Sequence, residues 1–292
     1  LLAAKQVKIN GLPKRLNEAV GALNAVLFTV RDIDLITGPP ALRRRYLDIT
    51  LSQVDSSYAT ARQRFDKVLE QRNHLLKRIR ESLARVEELD FWDSELSRDA
   101  GHIFWARASA LSALESQAAQ AHDLLGAGET LSLRYKPRLG EEYLAALETA
   151  DSAATAYLSA LRGALSQQIA AGVTLLGPHR DDMEVTIDGI SAAAFASRAQ
   201  QRTLALSLRL AEAQYLRSLR GDTPVLLLDD IFSELDQRRR QRIMSALVGY
   251  DQILVTATEM DRFPPQFIEQ ASLYSVEAGQ VQALDRSLTA ER

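Results

Sequence analysis

The chain has 292 residues, of which 46% are hydrophobic and 25% charged, a composition typical of a globular protein. The absence of cysteine excludes disulfides, cysteine-ligated zinc, iron–sulfur clusters and a cysteine nucleophile, and the four dispersed histidines do not suggest a metal cage. The net charge of −3 means that a nucleic-acid partner would need a local basic patch. No apolar run reaches the ~20 residues of a membrane helix and the first residues do not resemble a signal peptide, so we expect a cytoplasmic protein.

The first forty residues are predicted to be rich in β-structure. Alternating polar and apolar residues at 5–9 precede Asn10-Gly11, a strong hairpin turn signal. Residues 25–28 form a short apolar run that predicts another strand. The sequence opens at Leu1 without an initiator methionine and reaches a turn within eleven residues, so we expect it to begin inside a fold.

Residues 42–172 are predicted to be mainly helical. Apolar residues recur there at three- and four-residue steps, as one face of a long helix requires. The stripe consists of Tyr58, Ala61, Phe65, Val68, Leu75, Ile79, Leu83 and Val86. Arg72 interrupts it. A second helical region is predicted at 141–171, and a strand at 131–135 lies between the two.

After residue 172 the pattern becomes mixed. The predicted elements are, in order, strands at 173–176 and 184–187, a turn at 188–189, a helix at 200–219, a strand at 225–228, a helix at 237–247, a strand at 253–258 and a hairpin at 272–284. Apolar strands that alternate with helices predict a parallel sheet with crossover connections. We therefore predict an α/β fold whose body comes from residues 1–40 and 173–292, with a helical lobe inserted at 41–172.

Two adjacent acids, Asp229 and Asp230, follow the apolar run 225–228. Open α/β sheets bind ligands at the carboxyl ends of such strands. In P-loop ATPases the first acid at this point holds Mg²⁺, and a neighbouring acid polarises the attacking water. The alternative is a buried strand that simply ends in a solvated acidic loop.

Two further strings flank these acids. Downstream, 233–236 reads Ser-Glu-Leu-Asp, which resembles the D-loop of ABC-type ATPases, although Asp236 is equally suited to cap the next helix. Upstream, Ser197 and Gln200 have the spacing of a capping box at the start of an amphipathic helix. The amides of such a helix start attract phosphate, while an ordinary capped helix is the alternative.

A fourth string, Gly-Pro-His-Arg-Asp-Asp at 177–182, contains His179, Arg180, Asp181 and Asp182. These strings together resemble the RecF family of recombination mediators, which belongs to the SMC/ABC ATPase superfamily. The segment 42–48 (Leu-Arg-Arg-Arg-Tyr-Leu-Asp) and the stretch 28–35 resemble the same family. The resemblance covers essentially the whole chain.

The resemblance implies an ABC/SMC-type ATPase head that carries an inserted helical lobe. It implies ATP and Mg²⁺ as cofactors, with Asp229 on the metal and Asp230 as the catalytic residue that orients water. Four residues would contact nucleotide held by the other subunit of an ATP-dependent homodimer: Ser197, Gln200, Ser233 and Asp236. The implied function is binding of single- and double-stranded DNA at gaps and assistance to RecO and RecR in loading RecA, with slow hydrolysis.

The chain departs from the family pattern at two points. The family carries Gly-x-Asn-Gly-x-Gly-Lys-(Thr/Ser) near its N-terminus, but no glycine in this chain is followed by lysine. The signature position occupied by glycine in the family is Ala199, whose methyl group would crowd a phosphate. A truncated sequence accounts most simply for the first departure, and a degenerate ATPase is the alternative.

A basic segment is the candidate DNA-binding surface. Residues 55–85 carry a net charge of +4, and three further arginines stand at 43–45. Lysine and arginine bind the phosphate backbone without sequence preference. The candidates are Arg43, Arg44, Arg62, Lys67, Lys77 and Arg78.

A solvated helix face is the alternative to a DNA-binding surface at residues 55–85. For the chain as a whole, the alternative to an ATPase is a DNA-binding scaffold that does not hydrolyse ATP. A different SMC-type head would need much longer coiled coils than this insertion provides.

Overall fold

The computed structural model describes residues 6–15, 19–126, 128–234 and 237–284, with the backbone alone at 141, 142, 233, 234 and 261. Its strands are β1 (Val7–Ile9), β2 (Leu12–Lys14), β3 (Ala25–Thr29), β4 (Leu131–Lys136), β5 (Asp182–Ile187), β6 (Ile190–Ser191), β7 (Val225–Asp229), β8 (Ile253–Thr256), β9 (Tyr274–Glu277) and β10 (Gln280–Ala283). Its α-helices are α1 (Asp34–Thr37), α2 (Pro40–Val54), α3 (Ser56–Arg80), α4 (Leu89–Leu124), α5 (Ala150–Gly163), α6 (Leu165–Ala171), α7 (Ala192–Phe195), α8 (Arg198–Arg220), α9 (Gln237–Ala246) and α10 (Pro265–Gln270).

A parallel sheet in the order β3-β7-β8 joins the N-terminal region to the C-terminal part of the chain. The register places Thr29, Asp229 and Thr256 side by side at its carboxyl edge. The strands form here because their apolar residues pack into one core cluster with residues of α8 and α9. That cluster includes Val26, Phe28, Leu210, Leu216, Leu226, Leu228, Ile243 and Leu247.

The long helix α4 is the centre of the helical part and packs against α3, α5 and α8. Its contact with α5 is close at Gly101, where an added Cβ would lie 2.4 Å from the carbonyl oxygen of Ala150. Only glycine therefore allows this spacing between the two helices.

An antiparallel sheet in the order β4-β5-β6 packs beside α4. Strand β4 pairs with β5 along its full length, and β5 turns into β6 at Asp188-Gly189, so the predicted strand and turn are confirmed. The hairpins predicted around residues 10–11 and within 272–284 are confirmed as well. The division into 1–40, 41–172 and 173–292 stays a prediction, and this sheet takes strands from both sides of residue 172.

Two local predictions are wrong. Residues 173–176 do not form a strand, because side chains of α3 occupy the polar groups of Thr174. Asn73 Oδ1 accepts the Thr174 N–H at 2.7 Å, and the Thr174 hydroxyl accepts from Arg72 Nη1 at 2.8 Å. Such bonds replace the pairing that a strand would need.

The second wrong prediction is the length of the apolar stripe. Helix α3 ends at Arg80, so Leu83 and Val86 lie outside it and are exposed. Ser82 adopts a left-handed conformation (φ +60°), and the Leu83 N–H donates to the Arg78 carbonyl at 2.8 Å. This bond spans the helix end as in a Schellman motif and stops the helix before the sequence pattern does.

Candidate functional site

The carboxyl edge of the parallel sheet brings Asp229 and Asp230 together with Thr256. The Thr256 hydroxyl donates to Asp229 Oδ1 at 2.7 Å and accepts from the Asp230 N–H at 3.1 Å. The Thr256 hydroxyl thus positions both the backbone of Asp230 and the side chain of Asp229. The sequence indicated the acids but not Thr256, which appeared only as a strand residue.

The two acids differ in backbone conformation. Asp229 is the last residue of β7 and is exposed, while Asp230 has a left-handed backbone with φ of +51°. This conformation is uncommon outside glycine, and aspartate is among the residues that tolerate it best. The chain then enters a short 3-10 turn, Ile231–Glu234, in which Ile231 and Phe232 are buried. Burial of these two residues holds the turn that follows the acids.

The start of α8 forms the capping box that the sequence predicts. Ser197 Oγ accepts from the Gln200 N–H at 3.3 Å, and Gln200 Oε1 accepts from the Ser197 N–H at 2.8 Å. Both residues are at least partly exposed. A helix start of this kind presents backbone N–H groups and the positive end of the helix dipole to an anion.

Asp229 suits a Mg²⁺ ion that arrives with a nucleotide. Within the described ranges, no group of three or more histidine, aspartate or glutamate side chains could hold a metal by itself. Magnesium usually takes one or two protein carboxylates and completes its shell with water and substrate phosphates. The exposed carboxylate of Asp229 fits that role. Two predicted contacts in trans cannot be placed, because the Ser233 side chain and Asp236 lie outside the described residues.

The segment 177–182 connects helices to the antiparallel sheet, mainly through its two aspartates. Asp181 is 1% exposed and its carboxylate accepts from Arg107, the Arg138 N–H and the Tyr135 hydroxyl. Burial raises the pKa of Asp181, while the ion pair with Arg107 opposes that shift. Asp182 accepts two hydrogen bonds from Arg43, at 2.6 and 2.9 Å.

His179 and Arg180 both contact Thr174, which lies shortly after the end of α6. His179 Nε2 lies 3.3 Å from the Thr174 carbonyl oxygen, and the same oxygen accepts from Arg180 Nε at 3.0 Å. Burial lowers the pKa of His179 to about 4. The imidazole is therefore neutral at physiological pH and packs against Phe65 at a ring separation of 5.8 Å.

The candidate DNA-binding cations fall into two groups. Lys67, Lys77 and Arg78 are exposed on α3. Arg43 and Arg44, by contrast, bind the 181–182 segment: Arg43 is 8% exposed, and Arg44 Nη1 donates to the Asp181 carbonyl at 2.7 Å. These two arginines stabilise the fold and have fewer donors left for phosphate.

Two arginines of α3, Arg62 and Arg72, also have structural partners. Arg62 pairs with Asp48 at 3.2 Å and with Asp66. Arg72 is fully buried and donates to Asp93 at 2.6 Å. Its interruption of the apolar stripe therefore marks a buried ion pair, which fixes α3 to α4.

Comparisons with known proteins bear on this geometry. No family model matches the chain. The DNA replication and repair protein RecF of Chloroflexus aurantiacus is 41% identical to this chain, and the match covers 96% of this chain and 72% of that protein. The protein of the same name from Herpetosiphon aurantiacus is 39% identical, and the match covers 94% of this chain and 70% of that protein.

The chain belongs to the RecF family. Solved structures agree with this assignment. The structure of the recombination mediator protein RecF-ATPrS in the RecFOR pathway matches with a TM-score of 0.85 at 29% identity, covering 97% of this chain and 74% of that one. The corresponding RecF-ATP structure matches with a TM-score of 0.82. The predicted ATPase-head fold is therefore confirmed, and this RecF-family chain has its Asp229–Asp230 pair at the sheet edge of that fold.

Within the part of the chain that the structure describes, no helix combines the length and the apolar character needed to cross a membrane.

Proposed function

We propose that this chain is an ATP-dependent DNA-binding protein of recombinational repair and replication restart. It acts in the cytoplasm on single- and double-stranded DNA at gaps and junctions, and it assists RecO and RecR in placing RecA. Two copies associate around ATP, and slow hydrolysis releases them. Support comes from membership in a family of DNA replication and repair proteins and from similarity to the solved RecF-ATP and RecF-ATPrS structures.

The observation that carries the proposal is the Asp229–Asp230 pair, held by one threonine hydroxyl at the sheet edge. ATP hydrolysis needs a metal that neutralises phosphate charge and a group that orients water. Asp229, exposed at the strand end, would bind Mg²⁺, and Asp230, turned out of the strand, would orient the water. ATP with its magnesium would supply the phosphoryl chemistry when bound.

The second half of the nucleotide site would come from the other subunit. Ser197 and Gln200, at the start of α8, would approach the γ-phosphate held by that subunit, with Ser233 and Asp236 beside it. The exposed position of Ser197 and its role as helix cap support this arrangement. Dimerisation would then depend on nucleotide because neither half alone encloses the phosphate.

DNA would contact the exposed cations of α3. Lys67, Lys77 and Arg78 each release counterions when they bind phosphate, so affinity should fall steeply with salt. A non-hydrolysing DNA-binding scaffold is the second candidate function. It is favoured by the absence of a Gly-Lys pair in these 292 residues and by Ala199 in the signature.

Fluorescence anisotropy on a gapped duplex tests the DNA surface directly. Replacing Lys67, Lys77 and Arg78 together by glutamine should weaken binding and reduce the slope of log affinity against log salt by up to about 3, since each phosphate contact contributes roughly 0.9. Arg217→Gln, on exposed α8 surface, is the matched control. An unchanged salt slope in the triple variant would show that DNA binds elsewhere. Hydrolysis of ATP by a chain supplied with a phosphate-binding loop would separate the ATPase from the scaffold.

A further inference from the structure

The side-chain amide of Gln200 is held at both of its ends. Its Oε1 accepts from the Ser197 N–H at 2.8 Å, which closes the cap of α8. Its Nε2 donates to Glu129 Oε1, also at 2.8 Å, across 71 residues of sequence. The glutamate was not indicated by any motif, because it lies in the loop before β4 and meets Gln200 only in the fold.

Glu129 fixes which way the Gln200 amide points. An ionised carboxylate can only accept hydrogen bonds, so the NH₂ group of Gln200 must face it. The carbonyl oxygen of the amide then faces Ser197, where an acceptor is needed for the N–H. The reverse orientation would place oxygen against oxygen at Glu129 and NH₂ against N–H at Ser197.

Glu129 is itself anchored. The neighbouring Thr130 N–H donates to Asp188 Oδ1 at 2.9 Å, and the Asp188 N–H donates back to the Thr130 carbonyl at 2.9 Å. The second carboxylate oxygen of Glu129 lies 3.7 Å from Nε2 of buried His122, whose Nδ1 is 3.1 Å from Ser207 Oγ on α8. The hydrogen-bonded loop thus holds the Glu129 carboxylate beside the start of the helix that it helps to cap, and His122 lies next to it.

The cap leaves a defined set of donors at the helix start. The N–H groups of Ser197 and Gln200 are bonded within the box, and the Gln201 N–H donates to the Ser197 carbonyl at 2.8 Å. The N–H groups of Arg198 and Ala199 belong to the first turn, which intrahelical carbonyls do not reach. The Ser197 hydroxyl accepts from Gln200, so its proton can point outward.

We propose that Glu129 is a positioning residue for this helix start. By orienting Gln200, it holds Ser197 so that the serine hydroxyl and the N–H groups of Arg198 and Ala199 face a phosphate of the second subunit's nucleotide. This role rests on the proposed function, in which α8 meets that nucleotide in trans. Glu129 acts only through Gln200 and does not touch the phosphate.

A polarity series at Glu129 tests the orientation in the 292-residue chain. Glu129→Gln keeps an acceptor, Glu129→Ala removes it, and Glu129→Lys replaces it with a donor. Amide hydrogen exchange at Ser197, followed by NMR, should rise less than about threefold in the first variant, about tenfold in the second and further in the third. Adding Gln200→Glu to Glu129→Lys restores complementary charges, so protection should return. Glu184→Ala, which removes an exposed ion pair with Lys136, is the control.

Unchanged exchange at Ser197 in both Glu129→Ala and Glu129→Lys would overturn the proposal. So would failure of the Gln200→Glu change to rescue Glu129→Lys while the melting temperature stays at that of the parent. If a variant lost its global fold, amide exchange would rise across α4 as well as at Ser197. The milder pair Glu129→Gln and Glu129→Ala would then be compared for exchange at Ser197.

Titration with inorganic tripolyphosphate adds a readout that a purely structural role would not move. Shifts of the Arg198 and Ala199 amide signals report anion binding at the helix start. If Glu129 acted only as a nearby negative charge, Glu129→Ala would bind the anion more tightly. Positioning predicts the opposite, a loss of roughly threefold or more, with near-parent binding in Glu129→Gln. Tighter binding by Glu129→Ala overturns the positioning role.

Absence of any shift of the Arg198 and Ala199 amide signals in the parent counts against the proposed phosphate site. The exchange series still decides the orientation of Gln200 in that case.

Discussion

His179 shows how one buried side chain can make stability depend on pH. Its Nδ1 atom is buried, and within the described part of the chain it has no hydrogen-bond partner. Burial lowers its pKa to about 4 from the ordinary 6.5, and the nearby cations of Arg180, Arg62 and Arg44 oppose a further positive charge. Between these two pH values the unfolded chain binds the proton and the folded chain does not.

The stability contributed by neutral His179 is therefore full above pH 6.5 and is lost as the pH falls towards 4. His179→Gln should remove this dependence. The stability advantage of the parent over the variant should shrink by roughly 2–3 kcal/mol between pH 7 and pH 4, as measured by urea unfolding. Exposed His74→Gln is the control. A difference that stays constant across that range would contradict the assignment.

The two aspartates at the sheet edge should respond differently to the same substitution. In a chain supplied with a phosphate-binding loop, Asp230→Asn should abolish hydrolysis and spare ATP binding, because its carboxylate orients water rather than holding nucleotide. Asp229→Asn should also weaken the Mg²⁺-dependent part of binding. Single-turnover hydrolysis together with nucleotide binding, with and without Mg²⁺, distinguishes the two. If Asp230→Asn turned over ATP at the parent rate, the assignment would be wrong.

At the scale of elements, the start of α8 separates a shared nucleotide site from a simple helix cap. Ser197→Arg would put a long cation where the γ-phosphate of the other subunit must enter. In a chain supplied with a phosphate-binding loop, ATP should still bind but should no longer induce dimers, as light scattering would show. A simple cap predicts only a stability loss of about 1 kcal/mol, with normal dimers, and Ser197→Ala measures that loss alone.

Local patterns were sufficient to predict most elements and the acidic end of β7. Hydrophobic periodicity and turn residues depend on neighbours in sequence, so the strands around Phe28 and Leu226 could be found from the chain itself. The same patterns gave the wrong end for α3 and a strand at 173–176. Both errors arise where distant or capping side chains compete with the local pattern, as Asn73 does at Thr174. The contact of Glu129 with Gln200 could not be predicted from local patterns either, because the two residues are 71 positions apart in sequence.

At the scale of the whole molecule, buried charges join the parts of the chain. Arg107 on α4 is fully buried and donates to Asp48 of α2 at 2.7 Å, to Asp181 at 3.1 Å and to the Pro178 carbonyl at 2.7 Å. Removing one partner of such a network leaves an uncompensated charge in the interior. Arg209 on α8 similarly binds Asp32 at 2.6 Å, and Asp32 accepts from the N–H of Thr29 beside the acidic edge. Ion pairs thus join α4 to α2 and to the segment 177–182, and they join α8 to the turn that follows β3.

The 292-residue chain by itself should bind ATP weakly or not at all. P-loop ATPases hold the β- and γ-phosphates with the backbone N–H groups and the lysine of a Gly-x-x-x-x-Gly-Lys segment, and no glycine here is followed by lysine. Asp229 and Asp230 stand at the sheet edge, and their negative charges oppose a triphosphate unless a cation lies between them. Calorimetry with ATP and Mg²⁺ should therefore give no saturable heat at micromolar nucleotide, whereas the same chain supplied with a phosphate-binding loop should bind. Micromolar affinity in the 292-residue chain would mean that other residues cradle the phosphates, and the roles of the acidic pair would then have to be reassigned.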